Sequence, residues 1–176
     1  MAEQLMETTV RTALWQQFSA AIDMLENALL ACPETLWQEH LWIDVESAND
    51  GTFWDITFHT LGCLDLFLTG CSEEALPAFK KRSDGVIPRD ELHPYLVQLR
   101  QKCQTTFAAL SDEKAHQPYT FPWPGGATVS YFELLLYTLR HVQEHAAQLS
   151  LFLGQHAIPG ETLHWVQRAK EEAGRL

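Results

Sequence analysis

Apolar residues recur three or four positions apart in four long segments of the chain, a spacing that predicts helices. The first segment predicts a helix over residues 10–30, which ends before Pro33 because proline cannot continue a helix. The third predicts a helix over residues 89–110. Its apolar positions stay in phase throughout: Leu92, Leu96, Leu99, Cys103, Phe107 and Leu110.

The second segment, residues 52–69, is apolar on almost every side, which indicates a helix that is buried all round or lies in an oligomer interface. Thr52 and Asp55 have the spacing of a capping box, and Gly70 is a natural stop. The Trp- and Asp-rich residues 34–50 predict a long connector before this helix. We expect a homodimer, because one core would not cover all the apolar residues that point away from His59: Trp54, Phe58, Leu61 and Leu68.

Proline and glycine predict irregular connections over residues 71–88 and 118–126. A fourth helix is predicted to begin near residues 128–130, where Ser130 and Glu133 have capping-box spacing, and to stop at Gly154. A short fifth helix is expected over about residues 161–173, and no segment is a convincing strand. The prediction is an all-α fold: a four-helix bundle with a short extra C-terminal helix, forming a single domain over residues 1–176.

Composition narrows the function. The 176 residues carry a formal net charge of -11, which argues against nucleic-acid binding because phosphate backbones are anionic. No stretch of 18 apolar residues predicts a membrane span, and the first residues lack the pattern of a signal peptide, so we expect a cytoplasmic protein. The four cysteines form no C-x-x-C pair, which argues against a zinc ribbon or a thioredoxin-like site, and buried thiols are expected.

Two histidines, His141 and His145, lie four residues apart on the fourth predicted helix and therefore point the same way. A pair at this spacing can bind one divalent ion from a single helix, although two hydrogen-bonded core histidines would show the same pattern. Glu144 precedes the second histidine instead of following the first, so the zinc-protease motif is absent. Arg140, Gln143, Glu144 and Gln148 fall on the opposite arc of the helical wheel.

A third histidine, His59, lies within the nearly all-apolar second helix, where a ring nitrogen without a partner would cost about 1–3 kcal/mol. A metal ion on one nitrogen would meet that need. Three histidines with one open position are the ligand set of a catalytic metal site. Surface roles are expected for most of the remaining histidines: His40, His93, His116, His156 and His164.

Three further residues near these histidines have alternative interpretations. Asp55, one turn before His59, either caps the helix at Thr52 or supports a ligand. Cys63, one turn after His59, either packs in the core or is a fourth ligand. Trp123, in the Pro- and Gly-rich loop, either forms a wall of a pocket above the metal or anchors the loop.

These motifs together resemble the DinB/YfiT-like superfamily, over nearly the whole chain and in the same helix order. The resemblance rests on Phe53-Trp54-x-x-x-x-His59, on the Ala127-Thr-Val-Ser-Tyr-Phe-Glu segment, and on His141-x-x-x-His145-x-x-Gln148. It implies a four-helix bundle in which the positions of His59, His141 and His145 bind a divalent metal. Nickel and zinc are the leading metals that it implies, with iron and manganese next.

The resemblance also implies a reaction: transfer of a low-molecular-weight thiol onto a small electrophile, with the metal binding the sulfur as a thiolate. The expected partners are therefore a small-molecule substrate and a thiol. The same site would suit a hydrolase that uses metal-bound hydroxide. An interpretation from a different class is a non-catalytic, metal-binding stress-response or dimerisation module.

Overall fold

Five α-helices and one small hairpin form the part of the chain that the computed structural model describes, which is residues 2–42, 51–70, 85–158 and 165–168. A single 3-10 turn, Glu34–Leu36, follows the first helix. The helices are α1 (Ala2–Ala31), α2 (Phe53–Leu68), α3 (Arg89–Ala108), α4 (Asp112–His116) and α5 (Tyr131–Gln155). The strands β1 (Pro118–Thr120) and β2 (Thr128–Ser130) pair antiparallel, with Tyr119 opposite Val129.

The four long helices form the predicted bundle. Helix α1 packs against α3 and α5, and α2 packs against the same two helices, so α1 and α2 occupy opposite corners of the bundle. Two helices that follow each other in sequence therefore lie across a diagonal, which explains the long connector between them. The confirmed all-α fold places His59 of α2 beside the face of α5 that carries His141 and His145.

Side-chain caps fix the start of both helices that carry these histidines. The Thr52 hydroxyl accepts a hydrogen bond from the Asp55 amide at 3.4 Å, and an Asp55 carboxylate oxygen accepts one from the Gly51 amide at 3.0 Å. At α5, the Ser130 hydroxyl accepts from the Glu133 amide at 3.2 Å. Both predicted caps are confirmed, and each satisfies a backbone amide that the helix itself leaves without a partner.

The connector is anchored to the core at Trp37, which is buried. Its ring lies 5.8 Å from that of Phe53, and its Nε1 donates to the Ile87 carbonyl at 3.0 Å. The Trp54 amide donates to the Trp37 carbonyl at 3.0 Å. These contacts hold the first turn of α2 in place and so set the position of His59 two turns later.

Ion pairs join α1 to α3 on the side of the bundle away from α2. Arg100 pairs with Asp23 and lies 3.1 Å from a Glu26 carboxylate oxygen, and it donates to the Ser19 hydroxyl at 2.9 Å. The other Glu26 oxygen contacts His93 Nε2 at 2.7 Å. We call Ser19, Asp23, Glu26, His93 and Arg100 the ionic cluster.

Two expectations about the chain's connections are wrong. The Pro- and Gly-rich loop is the turn of a hairpin, although no strand was predicted. The short helix α4, on which the sequence analysis made no prediction, precedes this hairpin. The last long helix also passes Gly154 and is capped at His156. Ala157 then takes the left-handed conformation (φ 57°), and amides 157 and 158 bond back to carbonyls 154 and 153.

The predicted C-terminal helix falls mostly outside the described residues. The four that are described there, residues 165–168, form a bend and not a helix. The predicted irregular segment 71–88 also falls mostly outside them, and its described residues 85–88 form no regular structure. None of the helices within the described residues is long and apolar enough to span a bilayer.

The burial of α2 removes the reason for expecting a homodimer. Trp54 and Leu61 are fully buried, and Phe58 and Leu68 are each only 5% exposed, all within a single chain. The core between the four long helices therefore covers the apolar residues that seemed too many for it. Assembly of the chain stays a prediction.

Candidate metal centre

Three histidine side chains meet in the groove between α2 and α5. The Nε2 atom of His141 lies 3.2 Å from Nε2 of His59 and 3.2 Å from Nε2 of His145. All three side chains are partly buried, so the group opens toward solvent on one side. We call His59, His141 and His145 the histidine cluster.

The spacing of these nitrogens fits ligands of one ion. Two imidazole nitrogens bound to zinc at about 2.0–2.1 Å, with a tetrahedral angle between them, are separated by about 3.3–3.4 Å. The two 3.2 Å separations are close to that value. The described structure therefore places His141 at ligand spacing from both His59 and His145.

The hydrogens that the three imidazole rings can carry support the same conclusion. The Gln148 Oε1 atom lies 2.7 Å from His145 Nδ1, and because an amide oxygen only accepts, Nδ1 must carry the hydrogen. Nε2 of His145 then has a bare lone pair that faces His141. A hydrogen on His141 Nε2 can satisfy His145 but leaves that nitrogen no lone pair with which to accept from His59, whereas a cation could be shared by all three nitrogens.

His141 is the most perturbed member of the histidine cluster. Burial, reinforced by the neighbouring His145 and His59, lowers its pKa from 6.5 to about 3. The neutral ring is therefore the stable form in the metal-free protein, and only the neutral form can ligate a metal. Its Nδ1 is buried with no hydrogen-bond partner among the described residues. The ring of His141 therefore lacks a hydrogen bond like the one that Gln148 makes to His145.

A thiol lies beside the histidine cluster. The Cys63 Sγ atom is 3.7 Å from Nε2 and 3.9 Å from Nδ1 of His59, and Cys63 is 6% exposed. One donor atom each from His59, Cys63 and His141 lie within 4.8 Å of one another. This group shares His59 and His141 with the histidine cluster and contains Cys63 in place of His145. We weigh His145 above Cys63, because its nitrogen approaches His141 more closely than the sulfur approaches His59.

Asp55 takes the capping role of its two interpretations. Its carboxylate accepts from the Gly51 amide, while its own amide donates to Thr52. Gly51 has a φ of 71°, and a Cβ there would lie 2.6 Å from the Trp42 ring nitrogen, so the capping turn requires glycine.

Aromatic rings line one side of the histidine cluster. Tyr137, one turn before His141, lies nearly parallel to its ring at 6.2 Å, and Phe67 meets that ring edge-on at the same distance. Trp123 is 44% exposed and stacks on Phe121, with ring centroids 4.6 Å apart. It lies 6.3 Å from Phe67, so it belongs to the outer rim of this wall and does not touch the histidines directly.

The other described histidines lie elsewhere. His40, His116 and His156 are exposed, as expected. His93 is also outside the candidate centre, but it is paired with Glu26 instead of having a simple surface role. His164 lies outside the described residues.

The sequence interpretation missed two neighbours of the histidines on α5. Gln148 was placed on the outer arc, yet its side chain reaches back to His145. Its position three residues after His145 was the available signal, since residues three apart are neighbours on a helix. Tyr137 precedes His141 by four residues, and the same spacing rule would have placed it against that ring.

Comparison with known proteins identifies one family. The model of the DinB superfamily matches residues 12–149, which include all of α2, the hairpin and the part of α5 that carries His141 and His145. No curated protein matches the chain.

Proposed function

The chain belongs to the DinB superfamily, and from that membership and the geometry of its histidine cluster we propose that it binds one divalent metal ion through His59, His141 and His145. The observation that carries the proposal is the approach of His141 Nε2 to Nε2 of His59 and to Nε2 of His145, at 3.2 Å each. Imidazole ligands suit nickel, zinc and iron, while manganese prefers oxygen donors. Nickel and zinc are therefore the first candidates, then iron, then manganese.

We further propose that the centre moves a low-molecular-weight thiol onto a small electrophile. A bound divalent ion would supply Lewis acidity that lowers the pKa of a thiol. The partial burial of all three histidines supports access for a small molecule from the groove. The rings of Phe67 and Tyr137 would exclude water from one side of the reacting atoms.

The experiment has two stages. Elemental analysis of the purified protein is expected to give about one equivalent of nickel or zinc, and His59→Ala, His141→Ala and His145→Ala to lose it. His116→Ala is the matched control, because His116 is exposed and contacts its own helix through the Asp112 carbonyl. Retention of the metal by any of the three ligand variants would overturn the proposed site.

A thiol-transfer assay forms the second stage. The metal-loaded protein is incubated with several cellular thiols and a small electrophile, and loss of the thiol is followed with and without a chelator. Transfer that needs both the metal and the three histidines supports the transferase. Metal binding with hydrolysis of an ester or amide would favour the hydrolase instead, and metal binding without turnover would favour the non-catalytic module.

We keep a homodimer as a prediction with its own test. Light scattering at micromolar concentration measures the mass directly, and a monomer mass close to 20.1 kDa would contradict it.

A further inference from the structure

We propose that Cys63 is a fourth ligand of this ion, so that the centre offers three imidazole nitrogens and one sulfur. The inference rests on the metal binding proposed above and goes beyond it. It assigns a chemical role to a buried thiol that packing alone does not require.

The position of the sulfur carries the inference. Cys63 follows His59 by four residues on α2, and its Sγ lies 3.7 Å from Nε2 of His59. A sulfur at about 2.3 Å and a nitrogen at about 2.0–2.1 Å from one zinc ion, at a tetrahedral angle, are separated by about 3.6 Å. The sulfur also belongs to the set of donors that lie within 4.8 Å of one another with His59 and His141.

The surroundings of Cys63 differ from those of the other described thiols. Cys103 and Cys32 are also buried, but neither belongs to the set of donors around His59. Cys63 alone among the described cysteines faces imidazole nitrogens. Binding exchanges its S–H bond for a sulfur–metal bond and releases one proton to solvent.

A sulfur donor changes what the centre would select. Thiolate is a soft ligand, which favours zinc and nickel over manganese or magnesium. Four protein donors also fill a tetrahedral shell. A small thiol would then compete with Cys63 for its place beside the histidines.

X-ray absorption spectroscopy of the zinc-loaded protein tests the inference. The wild type is expected to show one sulfur at about 2.3 Å together with nitrogens at about 2.0–2.1 Å. The Cys63→Ser variant is expected to lose the sulfur shell. Its zinc affinity is expected to fall by at least about tenfold, which is the effect of removing a residue that supports a ligand. Cys63→Ala is the second variant, and circular dichroism confirms that both are folded.

Cys103→Ser is the matched control, since it makes the same change at a buried thiol outside the centre and is expected to keep the sulfur shell. A wild-type shell of nitrogen and oxygen only, or a sulfur shell that survives Cys63→Ser, overturns the inference and leaves the three-histidine site intact. Failure of the wild type to bind zinc at all overturns the proposed function itself. The two failures are therefore distinguishable.

Discussion

The bundle contains two polar clusters of opposite character. The ionic cluster joins α1 to α3 by opposite charges, and three of its four carboxylate oxygens have a partner: Arg100 holds one oxygen of Asp23 and one of Glu26, and His93 contacts the other oxygen of Glu26. The histidine cluster brings three groups of the same kind together between α2 and α5. The first cluster largely satisfies itself, whereas the second offers more lone pairs than hydrogens.

This difference separates structural polar residues from functional ones. A buried charge stays in a core when an opposite charge compensates its loss of water. Like groups cannot compensate one another: burial lowers the pKa of His141 to about 3, and the neighbouring His145 and His59 act in the same direction. A cluster of like groups in a folded protein is therefore typical of a cation-binding site, and five predictions test this contrast.

The largest effect is expected when the ionic cluster is broken. Arg100→Met removes the cation from Asp23 and Glu26, which are partly buried, so we expect a loss of about 3 kcal/mol of folding free energy, the lower end of the cost of an unpaired buried charge. His141→Leu in the metal-free protein removes a ring with a buried unpartnered nitrogen, so we expect a change below about 1 kcal/mol. Urea unfolding with a chelator present measures both. Equal losses would show that the two clusters do not differ in this way.

Zinc should stabilise the protein through the histidine cluster, whether or not the ionic cluster is intact. At about 100 times its dissociation constant, a ligand that binds only the folded state adds about 2.7 kcal/mol to the free energy of unfolding. We expect that gain in the wild type and in Arg100→Met, and none in His141→Leu. Melting temperature with and without zinc is the measurement, and a gain in His141→Leu would contradict the site.

Gln148 should matter less than a ligand. Its Oε1 accepts from His145 Nδ1–H at 2.7 Å, and loss of such an outer partner lowers metal affinity by about 10–100-fold. We expect that decrease in Gln148→Leu and a smaller one in Gln148→Glu, whose carboxylate still accepts. Gln143→Leu, on the same helix with its amide against Met24, is the control. Calorimetric zinc titrations that give one affinity for all four proteins would exclude this role for Gln148.

The smallest effect concerns pH, because His141 is only partly buried. Its lowered pKa means that the unfolded chain binds more protons than the folded one between about pH 3 and 6.5. Stability of the metal-free protein should therefore rise with pH in that window and be lost as pH falls below 6.5. Urea unfolding at pH 4.5, 5.5 and 6.5 should give a shallower slope in His141→Leu. An equal slope in the wild type and in His141→Leu would show that His141 does not cause the pH dependence of stability.

Zinc binding, like the stability of the metal-free protein, should weaken as pH falls. Protons compete for imidazole, so the zinc-induced rise in melting temperature should shrink as pH falls below about 6.5. The lowered pKa of His141 makes that loss less steep than three ordinary histidines would give. A rise that persists unchanged at pH 4.5 would contradict a site of histidines.

The helices and their caps were predictable because their signals are local. Thr52 and Ser130 bond to amides three residues away, and the apolar period of α3 extends over its whole length. The three residues of the histidine cluster could also be selected, since two share a helix face and His59 interrupts an apolar helix. The sequence alone could not supply their approach to 3.2 Å, which depends on how α2 packs on α5.

The hairpin was missed for a physical reason. Each of its strands has three residues, too few to show an alternation of apolar and polar positions. Its geometry depends on distant contacts instead: Gly70 at the end of α2 lies so close to the Tyr119 ring that a Cβ there would be 2.0 Å from it. The stop at Gly154 was wrong because Ala157, and not a glycine, adopts the left-handed conformation.

The placement of the proposed ligands on the chain has a consequence for folding kinetics. His141 and His145 are one helical turn apart, whereas His59 is 82 residues away from His141. A nascent α5 can hold an ion between its own two histidines, but the third ligand arrives only when a long loop closes. Metal added before folding should therefore pre-order α5 and change the refolding rate, while metal added afterwards should act mainly by slowing unfolding.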